Sequence, residues 1–147
     1  MKKPITQERV KSLLHYDPES GDFTWLRTGA FAGYLSGRYW MIWIDRQHWL
    51  LHTVAWLYVY GELVTGLDHI DRNGFNNAIT NLRRATQSQN LMNRVPGRGW
   101  EKHGRKYRVR LKMDGQKIEL GKFDTPEEAR NAYLKGRLEY FGEYACR

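Results

Sequence analysis

Leu67-Asp68-His69-Ile70-Asp71, followed by Asn76-Asn77-Ala78-Ile79-Thr80-Asn81-Leu82-Arg83-Arg84-Ala85-Thr86 and then Asn90, is the stretch that decides how this chain is built. It reads as a short strand, a loop, a second strand and a helix, with Thr86 placed as the N-cap of the helix that carries Asn90. Asp68, His69, Asn81 and Asn90 bring one carboxylate, one imidazole and two amides to that unit. Such a set can hold one hard metal ion and activate one water. His69, adjacent to Asp68, points to the opposite face of a regular strand. It is therefore available to work on water while Asp68 and Asn90 hold metal, given a twist or bulge that lets both reach one substrate. Imidazole ordinarily titrates near ~6.5, which suits a general base. Its second nitrogen needs an orienting partner, for which the amide or backbone of Asn81, or a carbonyl across the loop, is the candidate.

Upstream, Ile5 to Leu14 reads as a short amphipathic helix ended by the turn Asp17-Pro18-Glu19-Ser20-Gly21-Asp22. Phe23-Thr24-Trp25 reads as a strand. Arg38 to Ile44 and His48 to Leu51, aromatic and β-branched around Asp45-Arg46-Gln47, read as a hairpin. Thr53 to Tyr60 is apolar almost all round and stops at Gly61, the pattern of a buried helix with a glycine stop. His52 reads as a core or helix-capping histidine, and His48 and His103 as surface histidines.

Downstream, Asn93-Arg94-Val95-Pro96-Gly97-Arg98-Gly99 interrupts regular structure and marks a boundary. Gly99 to Lys102, Lys106 to Met113 and Gln116 to Phe123 read as three strands, the last two joined by the hairpin turn Asp114-Gly115. Thr125-Pro126-Glu127-Glu128 then opens a helix with a cap, a proline at its first position and acid in its first turn. The expectation is an α+β chain, with a domain over 1–94, a linker over 95–99 and a small three-stranded antiparallel sheet packed on one helix over 100–147. Strict alternation in Tyr107-Arg108-Val109-Arg110-Leu111-Lys112 turns Val109 and Leu111 to the helix and Arg108, Arg110 and Lys112 to the open face. Trp100, Lys102 and Lys117 are expected to extend that face, which is wide enough to enter a major groove.

The 147 residues leave room for one ordinary domain or two small ones, and 41% apolar content suffices for compact cores. A net charge of +8, spread along the whole chain, points to a polyanionic partner. The substrate expected of such a site in such a chain is a phosphodiester. Cys146 is the single cysteine, so disulfides within the chain and a Cys-based zinc site are excluded. An intracellular, reducing compartment fits. No secretory h-region and no membrane-spanning run is read from the sequence.

Asp68-His69, Asn81 and Asn90, flanked by Asn76-Asn77, Asn81-Leu82-Arg83 and Thr86-Gln87-Ser88-Gln89, resemble the ββα-metal motif of HNH homing endonucleases, in the variant that ends in asparagine. The segment Leu51-His52 … Trp56 resembles what precedes that motif, and the likeness runs over about residues 38 to 93. It implies a nuclease fold in which His69 is the general base, Asp68 and Asn90 bind one divalent ion, and Asn81 braces the loop. Asparagine at the last position favours a weakly held hard ion, Mg²⁺ with Mn²⁺ able to substitute, over zinc or nickel, and no structural zinc is implied. Residues 97 to 144, through Tyr107-Arg108-Val109-Arg110, Leu120-Gly121-Lys122-Phe123 and Asp124 to Ala129, resemble an APETALA2-type DNA-binding domain of the kind appended to such nucleases in phages and mobile elements. The two resemblances together imply double-stranded DNA as partner, a monomer or a DNA-induced dimer, and the cytoplasm of a bacterial or phage-infected cell. Arg83, Arg84 and Arg94 are expected to clamp phosphates. The rival reading is a DNA-binding regulator that keeps the fold without cutting; the intact Asp68, His69 and Asn90 argue against it.

Overall fold

The computed structural model describes residues 3–145; Met1, Lys2, Cys146 and Arg147, and so the reading of the single cysteine, lie outside the described residues. Packing separates two units, one running to Ala85 and one beginning at Thr86.

In the first unit, Thr6 adopts an extended conformation and accepts from the Arg9 N–H, which starts α1 (Gln7–Leu13). Ile5 is buried but lies ahead of the helix. The chain passes from Leu13 directly into β1 (Leu14–Tyr16), which pairs antiparallel with β2 (Phe23–Trp25). Alternation explains β1: Leu14 and Tyr16 are buried and His15 is exposed. β3 (Tyr34–Ser36), β4 (Tyr39–Ile44) and β5 (Gln47–Leu50) form an antiparallel sheet in that order. Asp45 and Arg46, at φ 51° and 63°, make the left-handed two-residue turn that matches strand twist. The Arg9 guanidinium grips the Asp45 carboxylate at 2.7 and 3.0 Å.

α2 (Leu51–Tyr60) follows β5 without a gap and ends at Gly61, whose φ of 74° lets its N–H reach the Leu57 carbonyl. The core of this unit gathers Val10, Leu14, Phe23, Ile42, Leu51 and Val54, all fully buried. Each such side chain stabilises by about 1.5–3 kcal/mol relative to exposure. β6 (Leu67–His69) and β7 (Leu82–Arg84) pair antiparallel and complete the unit.

The second unit opens with α3 (Gln87–Met92), capped by Thr86 in a full capping box with Gln89. β8 (Trp100–His103), β9 (Lys106–Met113) and β10 (Gln116–Phe123) form an antiparallel sheet with β9 central. Asp114 and Gly115, at φ 50° and 79°, close its hairpin. α4 (Pro126–Phe141) starts at Thr125, which accepts from the Glu128 N–H. A Cβ on Gly136 would stand 2.3 Å from Cδ1 of Leu120, so the Leu120 side chain would have to turn away to admit one. Arg137 is buried on α4 and donates to the carbonyls of Met92 (2.7 Å) and Arg94 (3.0 Å), which ties the end of α3 to this unit. Among the described residues no helix is long and apolar enough to cross a membrane.

Candidate active site and basic sheet face

On β6 and β7, Asp68 stands opposite Arg83 and His69 opposite Leu82. Asp68 and His69 are both buried. Arg83 donates Nε and Nη2 to Oδ2 of Asp68, at 3.0 and 2.8 Å, so the carboxylate is held as an ion pair in a largely solvent-free setting. His69 Nε2 lies 3.0 Å from Oδ1 of Asn77. An amide oxygen has no proton to give, so Nε2–H donates to it. Of the orienting partners expected for His69, the amide of Asn81 or a carbonyl across the loop, the side-chain carbonyl of Asn77 is the one within hydrogen-bond reach of Nε2.

Asn81 instead braces the loop. Its Nδ2 donates to Asp71 Oδ1 (2.9 Å) and to the Asn76 carbonyl (2.9 Å), and its Oδ1 accepts from the Asp71 N–H (3.0 Å). Asn76 Nδ2 and the Asn73 N–H also donate to Asp71, each at 2.8 Å. Burial works to raise the Asp71 carboxyl, but donation from Asn76, Asn73 and Asn81, with the nearby His69, outweighs it and leaves the carboxyl below its usual range.

The β1–β2 hairpin buttresses Asn77 from behind. Tyr16 donates its buried hydroxyl to the Asn77 carbonyl at 2.6 Å, and the Ile79 N–H donates to the Pro18 carbonyl at 3.1 Å. Gly21, at φ 81°, sits so close that a Cβ there would lie 2.3 Å from the Asn77 carbonyl carbon and the Ala78 nitrogen. The Tyr39 ring lies beside the imidazole, its centroid 6.0 Å from that of His69 and the two planes tilted by 30°.

Asn90 lies on α3, in the second unit, one helical turn beyond the Thr86 cap. Among the described residues no three His, Cys, Asp or Glu side chains form a ligand cluster. A buried carboxylate such as that of Asp68 is nevertheless the kind of oxygen donor taken by a hard ion that keeps most of its waters.

Residues 50–92 match the family described as HNH endonuclease. Over that stretch the chain resembles an HNH endonuclease domain. It is also similar, at 35% identity over 85 residues, to the uncharacterized HNH endonuclease L560 of Acanthamoeba polyphaga mimivirus, a match covering 54% of this chain and 45% of the relative. The chain thus spans less than half of that relative's length. No solved structure matches.

Two residues of the matched stretch stand against His69 in a way the sequence does not show, although His52 is buried as expected. Asn77 was noted only as a flank of the motif, although a run of asparagines after Asp-His is itself a loop-building signal. His52, read as core or cap, is buried at the start of α2 and meets His69 ring to ring. Burial, and secondarily the His69 charge, push the His52 pKa down to about 4. Arg84 pairs with Glu62 at the surface, with both side chains more than half exposed.

Outside the HNH match, β9 alternates as expected: Val109 and Leu111 are buried while Arg108 and Arg110 are half-buried on the other face. Lys117 on β10 stands opposite Lys112 and shares that face. The register of β8 departs from expectation. Trp100 is opposite Val109 and Lys102 opposite Tyr107, so both fall on the Val109 side; it is Glu101, opposite Arg108, that joins the arginines. Trp100 packs edge-on against Tyr107 at 4.8 Å and lies under the Arg98 guanidinium at 4.2 Å.

Proposed function

We propose that this protein is a metal-dependent endonuclease that hydrolyses phosphodiester bonds of double-stranded DNA. The observation that carries the reading is the buried His69, its Nε2 held by Asn77, beside Asp68 and within the stretch that matches HNH endonucleases. His69 Nδ1 takes a proton from water, whose oxygen attacks phosphorus in line with the 3′ oxygen. The P–O3′ bond breaks, leaving a 5′ phosphate and a 3′ hydroxyl that takes its proton from solvent. A divalent ion, Mg²⁺ or in its place Mn²⁺, would supply charge relief at the phosphate and the leaving oxygen, and Asp68 and the amide oxygen of Asn90 are the residues that would hold it. Asn81 keeps the loop rigid so that His69 and Asn77 stay in register. Arg83 holds Asp68 in place, and Arg84 and Arg94 meet flanking phosphates.

The sheet of the second unit, packed on α4 in the manner of an APETALA2-type domain, orients the DNA through Arg108, Arg110, Lys112 and Lys117. Its positive face supports this assignment, as does the net charge of +8 for the chain. Trp100 and Lys102 lie on the other side of the sheet, so any DNA contact they make is at its β8 edge.

Supercoiled plasmid incubated with the protein in Mg²⁺, in Mn²⁺ or in chelator tests the proposal. Nicked or linear product that appears only with metal is expected, and the ratio of the two reports strand count. DNA that is retained in every buffer and never cut would favour the non-cleaving DNA-binding reading.

A further inference from the structure

Among the described residues, two carboxylates share the open sheet face with the arginines: Glu119 on β10 stands opposite Arg110, and Glu101, which the β8 register sets opposite Arg108, is the one within hydrogen-bond reach of both arginines. Its Oε1 accepts from Arg108 Nε (2.9 Å) and Nη2 (2.6 Å), and also from Arg110 Nη2. The Glu101 side chain is 45% exposed and those of Arg108 and Arg110 are 25% and 30% exposed, so the cluster sits at the surface with its guanidinium planes pinned from one side. Arg108, hydrogen-bonding first, holds the Glu101 carboxyl below its usual range, so the carboxylate keeps its charge wherever DNA is bound.

We propose that Glu101 is a specificity-determining residue: it holds Arg108 and Arg110 as a fixed fork for neutral base edges and withholds them from phosphates. The inference rests on the reading of this face as the DNA-orienting surface. A guanidinium carries five N–H donors, and Arg108 spends only two nitrogens on Glu101. The remainder can donate to the O6 and N7 acceptors of guanine without giving up the carboxylate. A phosphate competes differently. It is an anion, so close approach sets it against the Glu101 charge, and release of the arginine leaves Glu101 facing a polyanion. One of the two arginine charges is cancelled before DNA arrives, which lowers sequence-independent attraction while leaving the directional hydrogen bonds. Fixing the fork also removes rotamer freedom that an unrestrained arginine would lose on binding.

The test uses the full chain and two variants, Glu101→Gln and the double variant Arg108→Ala/Arg110→Ala. Affinity for a random-sequence duplex is measured against salt, and base preference is recovered by selection from a randomised duplex pool. For Glu101→Gln the expected result is a salt dependence steeper by about 0.9 in log slope, random-duplex binding up to about eightfold tighter at 0.1 M salt, and a flatter base preference. An unchanged slope or an unchanged preference in Glu101→Gln overturns the proposal. The double variant separates the two possible failures. If it loses slope and preference while Glu101→Gln behaves as wild type, only the role of Glu101 falls. If the double variant itself matches wild type, the sheet is not the DNA surface and both readings fall.

Discussion

His52 and His69 meet edge to face, with ring centroids 5.0 Å apart and planes at 89°. Two imidazoles this close and this buried cannot both carry charge without strong repulsion, and the structure resolves the conflict in His52. Its pKa is pushed down to about 4, and among the described residues its Nδ1 has no hydrogen-bond partner. A neutral ring on α2 thus forms one wall beside the proposed base.

A pH dependence of stability follows. Below its ordinary value of ~6.5 the unfolded chain protonates His52, while the folded protein does not until about pH 4. The contribution of neutral His52 is whole above pH 6.5 and is lost as pH falls to 4, a span worth about 3 kcal/mol at ~1.36 kcal/mol per pH unit. Urea unfolding at pH 7, 5.5 and 4.5 should show this loss in wild type and a visibly smaller one in His52→Phe, which keeps the ring and removes the titration.

Asn77 should govern rate more than DNA affinity. Asn77→Ala is expected to lower single-turnover cleavage by about 10–100-fold, the usual cost of losing an orienting partner, with DNA binding near wild type. Gly21→Ala should show the same pattern, because its new Cβ would drive into the Asn77–Ala78 peptide from outside the site. Cleavage rates and binding isotherms measured side by side on one duplex check both.

The two arginines of β7 should differ in what they hold. Arg83→Ala takes the guanidinium away from the buried Asp68 carboxylate and is expected to cost about 3 kcal/mol. Arg84→Ala removes an exposed pair with Glu62 and should cost less than about 1 kcal/mol. Denaturant midpoints at low and high salt distinguish them, since only the exposed pair is screened appreciably.

Asn81→Ala removes three hydrogen bonds from the loop and is expected to cost about 2–3 kcal/mol. Asn81→Asp should be worse at neutral pH, because it loses both donors and faces the Asp71 carboxylate. It should recover toward the alanine variant as pH falls to about 4, where carboxylates protonate. Thermal melts of both variants from pH 7 to pH 4 read the difference.

What was legible in the sequence followed the range of the forces involved. Asp114-Gly115, Thr125-Pro126, Thr86 and Gly61 act within a few residues, and the turn, caps and stop they imply are all present. β1 and β3 were not read, since each is three residues long and exists only through pairing with a strand elsewhere in the chain. The phase of β8 against β9 was likewise hidden: one residue of register decides whether Trp100 or Glu101 joins Arg108, and no local signal sets it. In the candidate site, the strand pair around Asp68 and His69 was readable from spacing. The buttress was not, because Tyr16 and Gly21 reach Asn77 from about sixty residues away, and His52 looks like any apolar-face histidine until α2 is set against β6.

The central claim is that His69 activates water for phosphodiester hydrolysis. Single-turnover cleavage of an end-labelled duplex, in Mg²⁺ and in chelator, with wild type and His69→Ala, tests it most directly. Metal-dependent cutting is expected, falling at least about a hundredfold in His69→Ala at unchanged DNA affinity, with partial recovery on adding free imidazole. Cutting by His69→Ala at the wild-type rate, or cutting that persists in chelator, would contradict it.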